Sequence, residues 1–438
     1  MTDNLNLLGP DQGSGERVGL VLSGGGARGA YEAGVLSVLV PVLEARGERP
    51  RIIVGTSAGA LTAAYLAAEA RRGWVSAVEA GCDVWRKLGY GQVLGPLLSA
   101  RELGRGLRYG LEFVGVPVRG AASVLDNAPL ADTLERLVSF EQLAENVREG
   151  VIDTAAVAAT SYDTGHSVVF YERSAGGQPV ENDPVRAIDY APTRLAGVHV
   201  RASAAIEALF PAVEVTEPAD ADGWYGDGGT SLNTPLKPAL AFGAERLIVI
   251  GLNSIGSSRQ ATAMRPADAF DGAAQALQAL LADQLANDVA TLATINQVLA
   301  ARGPEAPDDE ATGQRRVIPY MFVAPRERFA VGRLASAIYR EHYAGLSGLR
   351  HGLNLGLLGR LLDATRNGAR GDLFSYVFFA PEFTEALIEQ GRRDAKWWLE
   401  QEHDDGPWRV GDPPVVGSPR RAAPRRRPRA AAAIGGGR

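Results

Sequence analysis

The chain has 438 residues, 46% of them hydrophobic and 22% charged, a globular and soluble composition with apolar content for one large core or two ordinary ones. Its formal charge of −6 hides an asymmetry: residues 420–438 hold seven arginines and no acid, and setting those seven charges aside leaves −13 on an acidic body. Cys82 is the only cysteine, which excludes an intramolecular disulfide and a cysteine-based zinc site.

The first residues, MTDNLNLLGPDQGSGER, have neither a basic n-region nor an apolar h-region, so no secretory signal is expected and residues 1–16 read as a flexible lead-in. RVGLVL (17–22) is a short apolar run that predicts a strand, closed by the glycines of SGGGARG. AYEAGVLSVLVPVLEA then predicts a helix that Pro41 should kink or restart. RIIV (51–54) predicts a second strand and ALTAAYLAAEARR a second helix, so parallel strands with helical crossovers are expected. Residues 52–68 form the nearest approach to a membrane span. They are 17 uncharged residues, interrupted by Gly55, Ser57 and Gly59, against the roughly 20 a bilayer requires. A cytoplasmic protein is expected.

Residues 75–150 read as a helical insertion or lid over one end of the sheet, with Gly- and Pro-broken apolar pieces and one acidic amphipathic helix, ADTLERLVSFEQLAENV. Strand pattern returns in VIDTAAVAATSYDTGHSVVFYE, where Asp163-Thr164-Gly165 predicts a hairpin turn. RASAAIEALFP predicts a short helix stopped by proline, WYGDGGTSLNTP a strand end and turn, and PLKPALAFGAERLIVIGLN a helix and a buried strand. Residues 17–253 therefore read as one α/β unit. Beyond it, Leu277, Leu281, Leu285, Val289, Leu292, Ile295 and Leu299 recur at helical spacing, RRVIPYMFVAP predicts a strand, and PEFTEALIEQGRRDAKWWLEQ a closing helix. Residues 254–405 form a mainly helical extension, and from about Gly406 to residue 438 the Arg/Pro/Ala-rich composition predicts disorder.

Three places carry chemistry. Gly24-x-Gly26-x-x-Gly29 matches the dinucleotide fingerprint after a strand, but the second strand ends in Val54-Gly55-Thr56-Ser57 with no carboxylate to hold a ribose, which argues against a nicotinamide cofactor. No Gly-Lys-Ser/Thr follows, which argues still more strongly against a P-loop. The glycines make either a tight turn with close helix–sheet packing or an anion site of bare N–H groups at a helix N-terminus. Gly55-Thr56-Ser57-Ala58-Gly59 stands where a strand turns into a helix, which suits a nucleophile elbow and, alternatively, a helix N-cap. A nucleophile needs a base. His342, His351 and His403 lie far along the chain, and His166 and His199 lie outside the loops where catalytic groups of such sheets collect, so each reads as structural. Asp227, in Tyr225-Gly226-Asp227-Gly228-Gly229, has a carboxylate unobstructed by neighbours, although Asp-Gly-Gly is also a common turn.

Taken together these blocks resemble the patatin-like phospholipase family. Gly24-Gly25-Gly26-Ala27-Arg28-Gly29 resembles its oxyanion loop, Gly55-Thr56-Ser57-Ala58-Gly59 its nucleophile elbow, and Asp227-Gly228-Gly229 its Asp-Gly-Gly motif. Ala202-Ser203-Ala204-Ala205-Ile206 and Leu209-Phe210-Pro211 resemble the segment before that aspartate, with Glu207 where the family pattern leads one to expect proline. The resemblance covers about residues 17–253 and implies a three-layer α/β sandwich: a mostly parallel central sheet with helices on both faces, plus a helical C-terminal extension. It also implies fatty-acyl ester hydrolysis by a Ser57–Asp227 dyad without histidine, with an oxyanion held by Gly24, Gly25 and Gly26. Arg28 would steady that loop or a lipid phosphate, or else be a plain surface arginine. No metal or cofactor is called for. The expected partners are a phospholipid or other acyl lipid and, transiently, a membrane surface. The apolar pieces between Leu88 and Val118 are candidates for a mobile cover, and the arginines of 420–429 for attraction to anionic lipid. Specific nucleic-acid binding is not expected. Acyl transfer or thioester cleavage by the same dyad, and a silent lipid-binding protein of the same fold, stay open.

Overall fold

A computed structural model describes residues 16–96, 125–253, 285–302, 316–362 and 368–414, apart from 178, 208, 233, 234, 328 and 346–351. Among these residues β1 (Val18–Leu22) leads through the glycine loop into α1 (Gly29–Glu44), then β2 (Pro50–Thr56) and α2 (Ala58–Glu69) follow. α3 (Trp74–Lys87) and the single turn α4 (Tyr90–Val93) come next, then α5 (Pro129–Leu137) and α6 (Phe140–Arg148). β3 (Thr154–Ser161) and β4 (Ser167–Arg173) form the expected hairpin, with Gly165 at φ +70° in its turn. β5 (Ile188–Pro192), α7 (Gly197–Ser203), β6 (Val213–Val215), β7 (Gly223–Asp227) and β8 (Arg246–Ile250) continue the sheet region. β9 (Tyr320–Val323) adds its last strand.

The strands make one mixed, mostly parallel sheet in the order β5-β4-β3-β2-β1-β8-β9, with β7 pairing with both β3 and β6. β1, β2, β3, β8 and β9 run parallel through the middle and one side, and their residues are mostly apolar and buried because both faces are covered. Steps from β1 to β2 and from β2 to β3 run one way across the sheet, and the step from β8 to β9 runs the other. Right-handed crossovers therefore put α1 and α2 on one face and the helix Leu285–Arg302 on the opposite face.

Four elements differ from expectation. α1 runs through Pro41 to Glu44. The proline falls in the last turn, where its missing N–H forfeits a single helical bond, and both sides of α1 are packed. The acidic helix is two helices, broken at Val138–Ser139, because the Ser139 side chain caps the second one by accepting the Gln142 N–H at 3.2 Å. The short helix starts earlier than expected and ends at Ser203, and Ala205 and Ile206 continue in turns. Order persists beyond Gly406: Trp408 is buried, its indole N–H donates to Glu48 at 2.9 Å, and Arg409 bridges to Tyr320 of β9. The expected helical positions Leu277 and Leu281, and the tail after residue 414, lie outside the described residues.

Beyond residue 253, two described elements are built into the same sheet and helix layer. β9 pairs with β8, and the closing helix Pro381–Leu399 lies along α1 at backbone distance. A Cβ on Gly34 would stand 2.1 Å from the Ile388 carbonyl oxygen, and one on Gly391 would stand 2.3 Å from that of Tyr31, so only glycines permit this approach. The buried Tyr31 hydroxyl donates across the same contact to Asp394 at 3.0 Å.

Candidate active site

Ser57 stands at the end of β2 with φ 54° and ψ −118°, a conformation that costs a residue with a side chain about 1–3 kcal/mol. The turn is held by contacts that leave no room for side chains on either flank. A Cβ on Gly55 would meet the Gly59 carbonyl oxygen at 2.1 Å, and one on Gly59 would meet that of Leu22 at 2.5 Å. The Ser57 N–H donates to Ser203 Oγ at 2.8 Å, and Ser203 Oγ–H donates to the Ala158 carbonyl at 2.5 Å. Although Ser57 begins α2, its side chain makes no capping bond, which corrects the N-cap reading. Instead its Oγ–H donates to Asp227 Oδ2 at 2.7 Å.

Asp227 ends β7, opposite Ala159 of β3, and is buried. Its backbone is fixed on both sides: its N–H donates to the Ala205 carbonyl at 2.8 Å, and Thr160 Oγ1–H donates to its carbonyl at 2.8 Å. The second carboxylate oxygen, Oδ1, accepts the Gly229 N–H at 2.6 Å. Burial pushes the Asp227 carboxyl up to about 7, and the negative Glu207 adds to this, while the bonds from Ser57 and Gly229 pull it back. Glu207 replaces the proline expected before this aspartate. Its carboxylate leans on the neighbouring residue, with Oε1 only 2.5 Å from where a Cβ on Gly226 would be.

The glycine loop follows β1. Gly26 has φ +57°, and a Cβ there would lie 2.1 Å from the Tyr376 carbonyl oxygen, which accepts the Ala27 N–H at 2.8 Å. Among the described residues the N–H groups of Gly25 and Gly26 find no acceptor. Arg28 is fully buried, so both the surface reading and contact with a lipid phosphate are corrected. Its guanidinium donates to Ser375 Oγ at 2.7 Å, Asn253 Oδ1 at 2.9 Å and the Asp372 carbonyl at 2.5 Å. It also pairs with Asp372 Oδ1 at 3.0 Å and lies 3.9 Å over the Tyr376 ring. Burial works against its charge, and Asp372 overcomes that, leaving the guanidinium firmly protonated. The loop is thus clamped to residues 372–376, far along the chain.

No histidine joins this group among the described residues. Buried His199 accepts the Ala196 N–H at Nδ1 (3.0 Å), and its Nε2 faces the Glu217 carbonyl at 2.9 Å; burial lowers its affinity for a proton. His166 pairs with Asp189 at 2.9 Å, and His403 Nε2 lies 2.7 Å from the Trp398 carbonyl.

Ser57 opens into a cavity whose walls are mostly apolar: Leu61, Trp85, Leu88, Leu130, Leu134 and Phe379 are among them. α4 and α5 supply one wall, and the rest of the proposed cover, 97–118, lies outside the described residues. Two wall residues had no signal in the sequence. Tyr376 comes from the extension, and Asn127 sits in a stretch whose glycines and prolines read only as broken helix. Asn127 is 3% exposed, and among the described residues its amide nitrogen has no hydrogen-bond partner.

A model of the patatin-like phospholipase family matches residues 20–240. Among solved structures, VipD from Legionella pneumophila is similar at 15% identity and a TM-score of 0.28, over 71% of this chain and 62% of VipD. Human GIVD cytosolic phospholipase A2 in complex with methyl gamma-linolenyl fluorophosphonate is similar at 13% identity and a TM-score of 0.30, over 87% of this chain and 59% of that one. The chain thus spans about three-fifths of the length of each of these structures. No curated protein matches it. Because the family match spans just over half of the 438 residues and takes in the glycine loop, Ser57 and Asp227, the chain belongs to the patatin-like phospholipase family.

Proposed function

We propose that the protein is a lipid acyl hydrolase in which Ser57 is the nucleophile and Asp227 its base. The observation that carries this reading is the 2.7 Å bond to the buried Asp227 carboxylate from the Oγ–H of Ser57, which itself lines an apolar cavity. In the ionised enzyme Asp227 Oδ2 takes the proton as Ser57 Oγ attacks the ester carbonyl carbon. The free N–H groups of Gly25 and Gly26, with Gly24 shaping the turn, hold the oxygen that becomes negative; one such donor is worth about 2.7–4 kcal/mol in a well-studied case. The proton passes to the leaving alcohol, and water, deprotonated by the same aspartate, releases the fatty acid from Ser57. Arg28 acts through the loop it anchors. Gly55 and Gly59 permit the turn that presents the hydroxyl.

The test is the pH dependence of kcat/KM on a soluble ester. Only ionised Asp227 can accept the proton, so the rate should fall about tenfold per pH unit below the carboxyl's value near 7 and level off above it. Of the groups facing this carboxyl, Ser57, Gly229 and Glu207, only Glu207 carries a negative charge of its own. Glu207→Gln should therefore move the acid limb to lower pH. A profile flat between pH 5 and 8 would remove Asp227 from the base role.

No helix among the described residues is long and apolar enough to cross a membrane. Contact with lipid is proposed to be peripheral, at a cytoplasmic membrane surface. The seven arginines of 420–438 offer attraction to an anionic surface, about 1 kcal/mol for each one close to it. Asp412 is still tied in, accepting from Gln297 at 3.1 Å, so the cut belongs after residue 414. Deleting 415–438 should weaken co-sedimentation with anionic vesicles at low salt and leave soluble-ester turnover unchanged. Equal sedimentation of the two chains would deny the tail this role.

A further inference from the structure

Among the described residues, the amide nitrogen of Asn127 has no partner, and Asn127 stands in an apolar wall. Its side chain is almost wholly buried, its amide nitrogen has no acceptor, and it lines the same cavity as Ser57. An unsatisfied buried donor costs about 1–3 kcal/mol, a cost that a hydrogen bond to a bound ligand would remove. Its position is fixed rather than accidental. The Asn127 carbonyl accepts the Leu130 N–H at 3.0 Å at the start of α5, and Leu130 and Leu134 of that helix form the wall beside it. The neighbouring Leu125 N–H is tied to the Leu209 carbonyl at 2.8 Å, next to Phe210, another wall residue.

We infer that Asn127 is a specificity-determining residue that donates a hydrogen bond to a neutral carbonyl oxygen of the substrate, one other than the carbonyl attacked by Ser57. This rests on the Ser57–Asp227 reading and deepens it. Neutrality follows from the surroundings. The described wall holds no lysine, arginine or histidine, and Arg28, the nearest cation of the glycine loop, is already paired with Asp372. A phosphate drawn into such a wall would lose its hydration with only an amide in exchange, whereas an ester carbonyl is matched by one amide N–H. The attacked carbonyl has its own donors in the glycine loop. The oxygen left for Asn127 is therefore the carbonyl of a second ester, which makes a diacyl glycerolipid the favoured substrate, with its charged head group outside the cavity.

The experiment compares Asn127→Leu with the unaltered chain on two substrates: a diacyl phosphatidylcholine in mixed micelles and a p-nitrophenyl monoester, which has no second carbonyl. The expected result is a loss of about tenfold or more in kcat/KM on the diacyl lipid, with the monoester rate kept or raised. Monoester turnover also reports folding; if Asn127→Leu does not accumulate, Asn127→Ala takes its place. Equal losses on both substrates would mean that Asn127 serves the fold or the oxyanion, and no loss on either would mean that it recognises nothing; both results overturn the inference. Failure of the unaltered chain to cleave the monoester would instead strike the Ser57–Asp227 reading, so the two failures are distinguishable.

Discussion

Ser57→Ala is expected to lower ester hydrolysis by at least about 10⁴-fold, the scale seen when a nucleophilic serine is removed from a hydrolase. The change takes away one oxygen, and alanine must accept the same φ of 54°, so the backbone strain is unaltered. What changes is Asp227, which loses the donor that holds its carboxyl down. Its remaining bond from Gly229 stays in place, and a carboxyl so deeply buried takes up a proton rather than remain an unpaired charge. The fold should therefore survive, as far-UV circular dichroism and thermal melting below pH 7 will report. Turnover near the unaltered level in a folded variant would refute the nucleophile.

Asp227→Asn is expected to be nearly as damaging, by about 10³–10⁴-fold, because its amide oxygen can keep the Gly229 N–H while its NH2 donates to Ser57 Oγ, and neither group can take the serine proton. Stability should move the opposite way. The Asp227 carboxyl has a higher value folded, about 7, than a carboxyl in an open chain, about 3.9. A raised value means that its protonated form favours the fold, a contribution complete below about pH 3.9 and lost as pH rises through about 7. The asparagine variant escapes that loss, so at pH 8 it should melt no lower than the unaltered chain while being nearly inactive. His166→Ala and His199→Ala should keep most activity, since their rings are engaged with Asp189 and with the Ala196 and Glu217 backbone. A histidine variant as inactive as Asp227→Asn would replace the dyad by a triad.

The parts of the site that backbone geometry imposes were legible in the sequence. Gly55, Gly59 and Gly26 stand where a Cβ would strike a carbonyl oxygen, so their spacing records the shape of the turns and, through them, where Ser57 must be. Asp227 was legible for a related reason, as a carboxylate between glycines at a strand end. The parts set by tertiary contact were not. Arg28 is neutralised by Asp372, 344 positions away, and nothing in an alanine- and leucine-rich extension announces that its Tyr376 carbonyl will fasten the glycine loop. Asn127 carries no motif, and its meaning comes from the apolar wall that leaves its amide unpaired. Among the elements, the parallel strands followed from their apolar runs. The break at Ser139 was masked by an amphipathic pattern that continues across it, and Pro41 proved harmless because it falls within the last turn of a packed helix.

The central claim, that Ser57 is the nucleophile, is tested most directly by covalent capture. The full chain is treated with a fluorophosphonate probe at pH 8, where the Asp227 carboxyl is ionised, digested, and the labelled peptide is mapped by mass spectrometry. The expected result is a single adduct on Ser57, absent from Ser57→Ala and strongly diminished in Asp227→Asn. Labelling of a different serine, or undiminished labelling of Ser57→Ala, would contradict the assignment.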